Sequence, residues 1–342
     1  MFLQTDCTSM PDNLAFSCAR DAGAFFSAAP KTYDTARQEW LPGEHAPSDA
    51  NAVLTVFGQA INQAMLEHVI SALKETVVCH QVRCHSLHGH YGDSVFVITC
   101  SVADVAAAKA ALHPLADRWR IELVLQTTQP TLSSPGLLVM DMDSTLIEME
   151  CIDEIAKLGG VGDEVSAVTL RAMRGELDFK ASLLHRVSCL KGIDTSLLAA
   201  LRDSIPLMPG AALLINTLKA NNWRVVLASG GFTYFADYLC ERLGLDLAVS
   251  NTLAVEDGRL TGDVIGEIVD ASKKAEIVRT QAAAWQIPHS QTIAMGDGAN
   301  DLTMMATAAL GVACHAKPKV NQQADVAILR SGLHSVLYLL AP

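Results

Sequence analysis

The chain has no run of apolar residues long enough to cross a bilayer. Its opening residues, MFLQTDCTSMPDN, carry Asp6 and Asp12 and lack the basic flank of a secretory leader. Positive charge is also in short supply: 25 Lys and Arg stand against 37 Asp and Glu, a net charge of −12. That balance argues against a nucleic-acid partner, which needs a basic patch. It leaves an anionic small substrate open, because local cations decide that. Internal repeats and low-complexity tracts are missing. The nine cysteines follow no regular spacing, which fits a reducing, cytoplasmic setting better than a disulfide framework.

What is present is core-forming material. Hydrophobic residues make up 50% of the 342 positions, and the mean hydropathy is +0.25. A chain of this length exceeds what one core usually serves, so two domains are expected. Residues 1–50 contain Pro11, Pro30, Pro42 and Pro47 and show no sustained period. They read as an N-terminal extension, partly helical at most. Over residues 51–127, apolar runs at 53–58, 79–88, 94–100 and 119–126 predict strands. Ile61, Met65, Val69 and Leu73 have helical spacing, and 102–118 predicts a second helix, broken near Pro114. The order β-α-β-β-α-β is the ferredoxin-like arrangement. The polar stretch TTQPTLSSP (127–135) reads as a linker.

From Gly136 to the end the pattern is α/β. GLLVMD (136–141), RVVLASGG (224–231) and TIAMGDG (292–298) are buried-type strands, with shorter ones at 310–314 and 326–329. A hairpin is expected around Asp257-Gly258, and residues 150–220 are mostly helical. Strands alternating with helices imply a parallel sheet.

Each apolar strand ends in a polar cluster: Asp141 to Thr145, Ser229-Gly230-Gly231, and Gly296 to Asp301. In open parallel sheets, sites form beyond the carboxyl ends of the strands, so these clusters converge. The carboxylates of Asp141, Asp143, Asp297 and Asp301 suit Mg²⁺, and no Cys/His set accompanies them for zinc. Asp141 has the position of a nucleophile toward phosphorus, and Asp143 that of a general acid and base. Lys273 and Lys274 open a helical run; cations there oppose the helix dipole at roughly 0.3–1 kcal/mol each, which a nearby anion reverses. Singly, these motifs also suit turns and helix caps. Ser229 lacks the preceding glycine of an esterase elbow. His80, His85, His88 and His90 with Cys79 and Cys84 match no zinc spacing, and strand alternation keeps them from converging.

Together these residues resemble the haloacid dehalogenase (HAD) superfamily of phosphohydrolases. D-x-D-x-T stands as Asp141, Asp143 and Thr145, followed in family order by Ser229, Lys274 and G-D-G-A-N-D at 296–301. The resemblance implies a Rossmann-like parallel-sheet core over 136–342, with a helical cap inserted at about 150–220. Within the superfamily the chain is similar to the phosphoserine phosphatase family, through Glu150, Met173, Phe179 and Arg186. That likeness implies hydrolysis of O-phospho-L-serine through an aspartyl-phosphate, the last step of serine biosynthesis. Glu150 is then expected on the substrate amino group and Arg186 on its carboxylate, with Met173 and Phe179 shielding the site. Ser229, Gly230, Asn300 and Lys274, rather than Lys273, are expected at the phosphate. Asp141, Asp297 and the backbone carbonyl of Asp143 are expected on Mg²⁺, with Thr145, Gly231 and Asp301 in support. The first domain looks ACT-like in shape, but Gln59-Ala60-Ile61-Asn62 after Gly58 is not a convincing ACT ligand loop. Serine sensing, dimerisation or neither remain open for it. So do transfer of the phosphoryl group to an alcohol such as homoserine, another small ester as substrate, and a serine sensor with a vestigial catalytic domain.

Overall fold

The computed structural model describes residues 25–26, 29–43 and 50–342. The chain divides into two compact units between Thr127 and Thr128.

In the first unit, β1 (Lys31–Asp34) and β2 (Glu39–Pro42) form a hairpin, so the stretch expected to be helical at most contains two strands. Then follow β3 (Ala52–Gly58), α1 (Gln63–Leu73), β4 (Val78–Cys84), β5 (Ser94–Ser101), α2 (Val105–Trp119) and β6 (Glu122–Gln126). The six strands form one antiparallel sheet in the order β2-β1-β4-β5-β3-β6. Without the hairpin, that order is the ferredoxin-like one. The hairpin covers the free edge of β4 through Lys31 opposite Val82. Aromatic packing holds it there: Phe26 lies 4.8 Å from Trp40 and 5.4 Å from Phe96, and Trp40 Nε1 donates to Glu67 (2.6 Å).

Asn62 caps α1 by accepting from the Met65 amide, and Asp104 caps α2 through the Ala106 and Ala107 amides. The expected break at Pro114 does not occur. Pro114 and Ala110 are both exposed, so the carbonyl that loses its donor faces water. The histidines near β4 are used locally. His80 Nε2 meets Ser101 Oγ (2.6 Å), His85 Nδ1 accepts from Leu87 (3.1 Å), and His88 Nδ1 accepts from the Val95 amide (3.1 Å).

The second unit runs β7 (Leu137–Met140), α3 (Cys151–Leu158), α4 (Gly162–Met173), α5 (Phe179–Cys189), α6 (Ser196–Asp203), α7 (Ala211–Ala220), β8 (Arg224–Phe232), α8 (Thr233–Leu243), β9 (Leu247–Glu256), β10 (Arg259–Ile265), α9 (Ala271–Ala284), β11 (Thr292–Gly296), α10 (Leu302–Met305), β12 (Leu310–Cys314), α11 (Pro318–Gln323) and β13 (Val326–Ile328). The sheet order is β10-β9-β8-β7-β11-β12-β13. Every pairing is parallel except that of the edge strand β10. β7 is central and buried throughout, as its continuous apolar run requires. The chain leaves β7 for β8 on one side and later returns to β11 on the other, so a topological switch lies at its carboxyl end. The β9–β10 hairpin turns on Asp257 and Gly258, both at positive φ (48° and 75°), as a two-residue turn demands.

Residues 129–135 are pinned rather than free. Thr131 bridges to Ala341, and the Gln291 side chain accepts from the Thr131 amide (2.7 Å) and donates to the carbonyls of Thr131 and Ser134. Trp223 Nε1 donates to the Leu132 carbonyl (3.1 Å). Among the described residues, no helix is long and apolar enough to cross a membrane.

Candidate active site

β7 delivers Asp141 to the sheet's carboxyl edge, where its amide still bonds the Met295 carbonyl of β11 (3.0 Å). Asp141 is 6% exposed. Its Oδ1 accepts from the Met142 amide (2.7 Å) and its Oδ2 faces Lys274 Nζ at 2.8 Å. The chain then curls tightly: the amides of Leu146 and Ile147 both bond the Met142 carbonyl, and Ser144 takes a positive φ of 55°. This loop turns Asp143 into the same cavity as Asp141. Asp143 Oδ1 is buried without a hydrogen-bond partner. Burial first, then the neighbouring Glu150 and Asp141 carboxylates, push its carboxyl well above the ordinary range, against hydrogen bonding from Cys151.

β8 contributes Ser229, Gly230 and Gly231. The buried Ser229 Oγ accepts from the Gly231 amide (2.9 Å). Both glycines sit where side chains approach closely. A Cβ on Gly230 would lie 2.9 Å from the Phe179 ring, and one on Gly231 2.6 Å from Met142 Cε and 2.9 Å from Asp143 Oδ2. Asn251, buried in β9, ties this strand end to the entry of α9: it donates to the Gly230 carbonyl (2.8 Å) and accepts from the Val269 amide (2.9 Å). Asp270 caps α9 by accepting from the Lys273 amide. One residue on, Lys274 is fully buried and its ammonium lies 2.8 Å from both Asp141 Oδ2 and Asp301 Oδ1. Burial alone would lower its pKa; the carboxylates of Asp141 and Asp301 outweigh that and hold it above the usual lysine range. Lys273 points elsewhere, to Glu267 and Glu276.

β11 brings Asp297, whose Oδ1 accepts from the Thr145 hydroxyl (3.1 Å). Burial and the Asp141 charge raise its carboxyl. Asp301 is completely buried; its Oδ2 accepts from the Gly298 amide (3.0 Å), and Asn300 Nδ2 donates to its Oδ1 (3.3 Å). Burial and Asp141 raise Asp301 too, while Lys274 opposes them. Carboxylate oxygens of Asp141, Asp297 and Asp301 lie within 4.8 Å of one another, the one such group found among the described residues. An all-oxygen donor set of this kind fits a hard divalent cation. Asp301, expected only in support, thus joins Asp141 and Asp297 in the acidic cluster.

The cap helices close the other side. A cavity of about 520 Å³ is lined by Asp141, Asp143, Ser229, Gly230, Gly231, Asp297 and Asn300 from the core, and by Glu150, Phe179 and Arg186 from the cap. Thr145, Lys274 and Asp301 are fully buried behind that wall. Glu150, at the start of α3, accepts from Ser144 Oγ (2.8 Å). Burial of its carboxyl raises its pKa, with the Ser144 hydrogen bond opposing. Arg186 on α5 has a buried Nε with no partner. Phe179 lies over Gly230. Met173 ends α4, and its side chain is outside the described residues. Three participants escaped the sequence reading: Ser144, Asn251 and Lys317, the last of which also lines the cavity. An asparagine inside the apolar strand β9 was the only local signal for Asn251.

A buried carboxylate paired with a buried lysine, a second carboxyl raised by burial, and an acidic cluster at a parallel-sheet switch are groups that a phosphotransfer-type hydrolase can use. The haloacid dehalogenase-like hydrolase family model matches residues 138–306, and the chain belongs to that family. Within it, the chain is 56% identical over 212 residues to the phosphoserine phosphatase of Vibrio cholerae, covering 62% of this chain and 65% of that protein. It is 55% identical to the phosphoserine phosphatase of Haemophilus influenzae, covering 68% of that protein. The matched stretch thus spans about two thirds of these relatives, slightly less for the Vibrio protein. The crystal structure of a probable phosphoserine phosphatase from Vibrio cholerae superposes with a TM-score of 0.72 at 40% identity, over 93% of this chain and 96% of that one. A substrate-bound phosphoserine phosphatase complex superposes with a TM-score of 0.58 at 40% identity, over 60% of this chain and 99% of that one.

Proposed function

We propose that the chain hydrolyses O-phospho-L-serine to L-serine and phosphate. The observation that carries this reading is the pairing, in one cavity, of the Asp141/Asp143 carboxyls with a cap-borne Glu150 and Arg186. A zwitterionic head group needs one anion and one cation, and the half-buried Arg186 guanidinium, with its Nε buried and unsatisfied, suits a carboxylate. The names of the relatives support the same substrate.

In this reading, Asp141 attacks phosphorus and becomes an aspartyl-phosphate as the serine oxygen leaves. Asp143, whose carboxyl is raised by burial and by the neighbouring acids, gives its proton to that oxygen. The deprotonated Asp143 then takes a proton from water, which attacks phosphorus, frees Asp141 and releases phosphate. Lys274 stays charged throughout and holds Asp141 in line. Ser229 and the Gly230 amide bind phosphate oxygens, with Asn300 beside them. Phe179 excludes water from the site. Asp141, Asp297 and the Asp143 carbonyl, with Asp301 behind them, would hold Mg²⁺, which would supply charge neutralisation between the two anions. We read residues 51–127 as an ACT-like module, 136–342 as the phosphatase, and the setting as cytoplasmic.

An acceptor-dependence assay tests the reaction class. A hydrolase releases phosphate from O-phospho-L-serine with Mg²⁺ and no acceptor other than water. A requirement for homoserine or another alcohol would replace the reading by phosphotransfer.

A further inference from the structure

One residue lining the cavity, Lys317, belongs to none of the sequence motifs. It comes from the chain after β12, which ends at Cys314. His315 takes a positive φ of 50°, and two residues on Lys317 is extended, with φ −64° and ψ 152°. A fourth parallel strand therefore delivers a residue to the same carboxyl edge as Asp141, Ser229 and Asp297. Lys317 is exposed and has no ion pair to any described residue, yet it lines the cavity.

The charge around it is lopsided. The lining carries the carboxyl groups of Asp141, Asp143, Glu150, Asp153 and Asp297, but only Arg186 and Lys317 as cations. Lys274 is hidden behind Asp141 with its ammonium already shared between two carboxylates. With Mg²⁺ on Asp141 and Asp297, the carboxyls of Glu150 and Asp153 would still line the path of an entering phosphate ester, in a protein of net charge −12. Charge in a cleft is focused by its low-dielectric walls, so a single unneutralised cation there weighs more than one on an open surface.

We propose that Lys317 captures anionic substrate at the mouth of the cavity, lowering KM for phosphate-bearing esters without touching the reacting atoms. The inference rests on the reading of this cavity as a phosphatase site. Because the ammonium acts through space, its effect must be screened by salt.

The test is steady-state kinetics of the full chain with Mg²⁺ and O-phospho-L-serine, for wild type, Lys317→Gln, Lys317→Arg and Lys317→Glu. In about 20 mM salt, Lys317→Gln should raise KM by roughly three- to tenfold with kcat nearly unchanged, and about 0.5 M salt should close that gap. Lys317→Arg should restore the wild-type KM, and Lys317→Glu should exceed Lys317→Gln. A wild-type KM for Lys317→Gln at low salt overturns the proposal, as does a fall in kcat alone or a gap that survives high salt. If wild type leaves phosphoserine untouched, the functional reading has failed, and the same comparison is made on p-nitrophenyl phosphate. That ester carries the anion without the amino-acid head group, so the same outcomes decide the role of Lys317.

Discussion

Replacing Lys274 by methionine keeps most of the side chain's length and removes its charge. In the wild-type chain the ammonium lies 2.8 Å from Asp141 and 2.8 Å from Asp301, with about 1% of its side chain exposed. Its loss leaves Asp141, Asp297 and Asp301, whose oxygens lie within 4.8 Å, without a buried cation. Removing one partner of a buried ion pair typically costs about 3–5 kcal/mol, because the charges left behind are neither solvated nor neutralised. We expect Lys274→Met to lose that much stability in chelator near neutral pH. Urea unfolding measures it, with hydrogen exchange at the β7 and β11 amides reporting on this unit. The sign with pH follows from linkage. The Asp297 and Asp301 carboxyls are raised by burial and by the Asp141 charge, and losing Lys274 removes a charge that opposes this, so the folded variant binds more protons and the penalty shrinks as pH falls toward the acid range. A loss below about 1 kcal/mol, the size of an exposed pair, would refute the reasoning. A penalty that grows on acidification would refute it equally.

Other perturbations separate the site's parts. Arg186→Ala should lower kcat/KM for O-phospho-L-serine by roughly 10- to 100-fold while sparing an ester that has no carboxylate, because only a charged partner is lost; equal losses on both substrates would contradict the role. Gly231→Ala places a Cβ 2.6 Å from Met142 Cε and 2.9 Å from Asp143 Oδ2. Its kcat should fall roughly tenfold or more as Asp143 is displaced, and an unchanged kcat would show that the loop yields freely. Asp246 accepts from Arg224, Lys219 and the Val225 amide. Burial alone would raise its carboxyl, but those bonds outweigh it and hold it below the usual range. Asp246→Ala should cost roughly 1–3 kcal/mol above about pH 4, the ordinary carboxylate pKa, and progressively less as pH falls through the depressed folded value; thermal melts across that window check it.

The parallel sheet was legible because strands buried on both faces carry continuous apolar runs, as β7, the 225–228 stretch of β8 and the 293–295 stretch of β11 do. The candidate site was legible because its acids sit at the ends of those strands. What escaped depends on distant partners. β1 and β2 bury almost nothing by themselves, and their place comes from Trp40 packing on Phe26 and bonding Glu67. The polar stretch at 129–135 looks like a tether until Gln291, some 160 positions away, satisfies its backbone. Ser144 and Asn251 act only through groups the fold brings to them, the Glu150 carboxylate and the Gly230 and Val269 backbone. Pro114 misled because solvent, not sequence, decides whether a freed carbonyl is tolerated.

The central claim is that Asp141 is the nucleophile of a phosphoserine hydrolase. Phosphate release from O-phospho-L-serine with Mg²⁺, compared between wild type and Asp141→Asn, tests it most directly. Release by wild type and none by the variant, both folded, is the predicted result. Turnover by Asp141→Asn near the wild-type rate would contradict the account, and so would a wild type that hydrolyses an aryl phosphate but leaves phosphoserine intact.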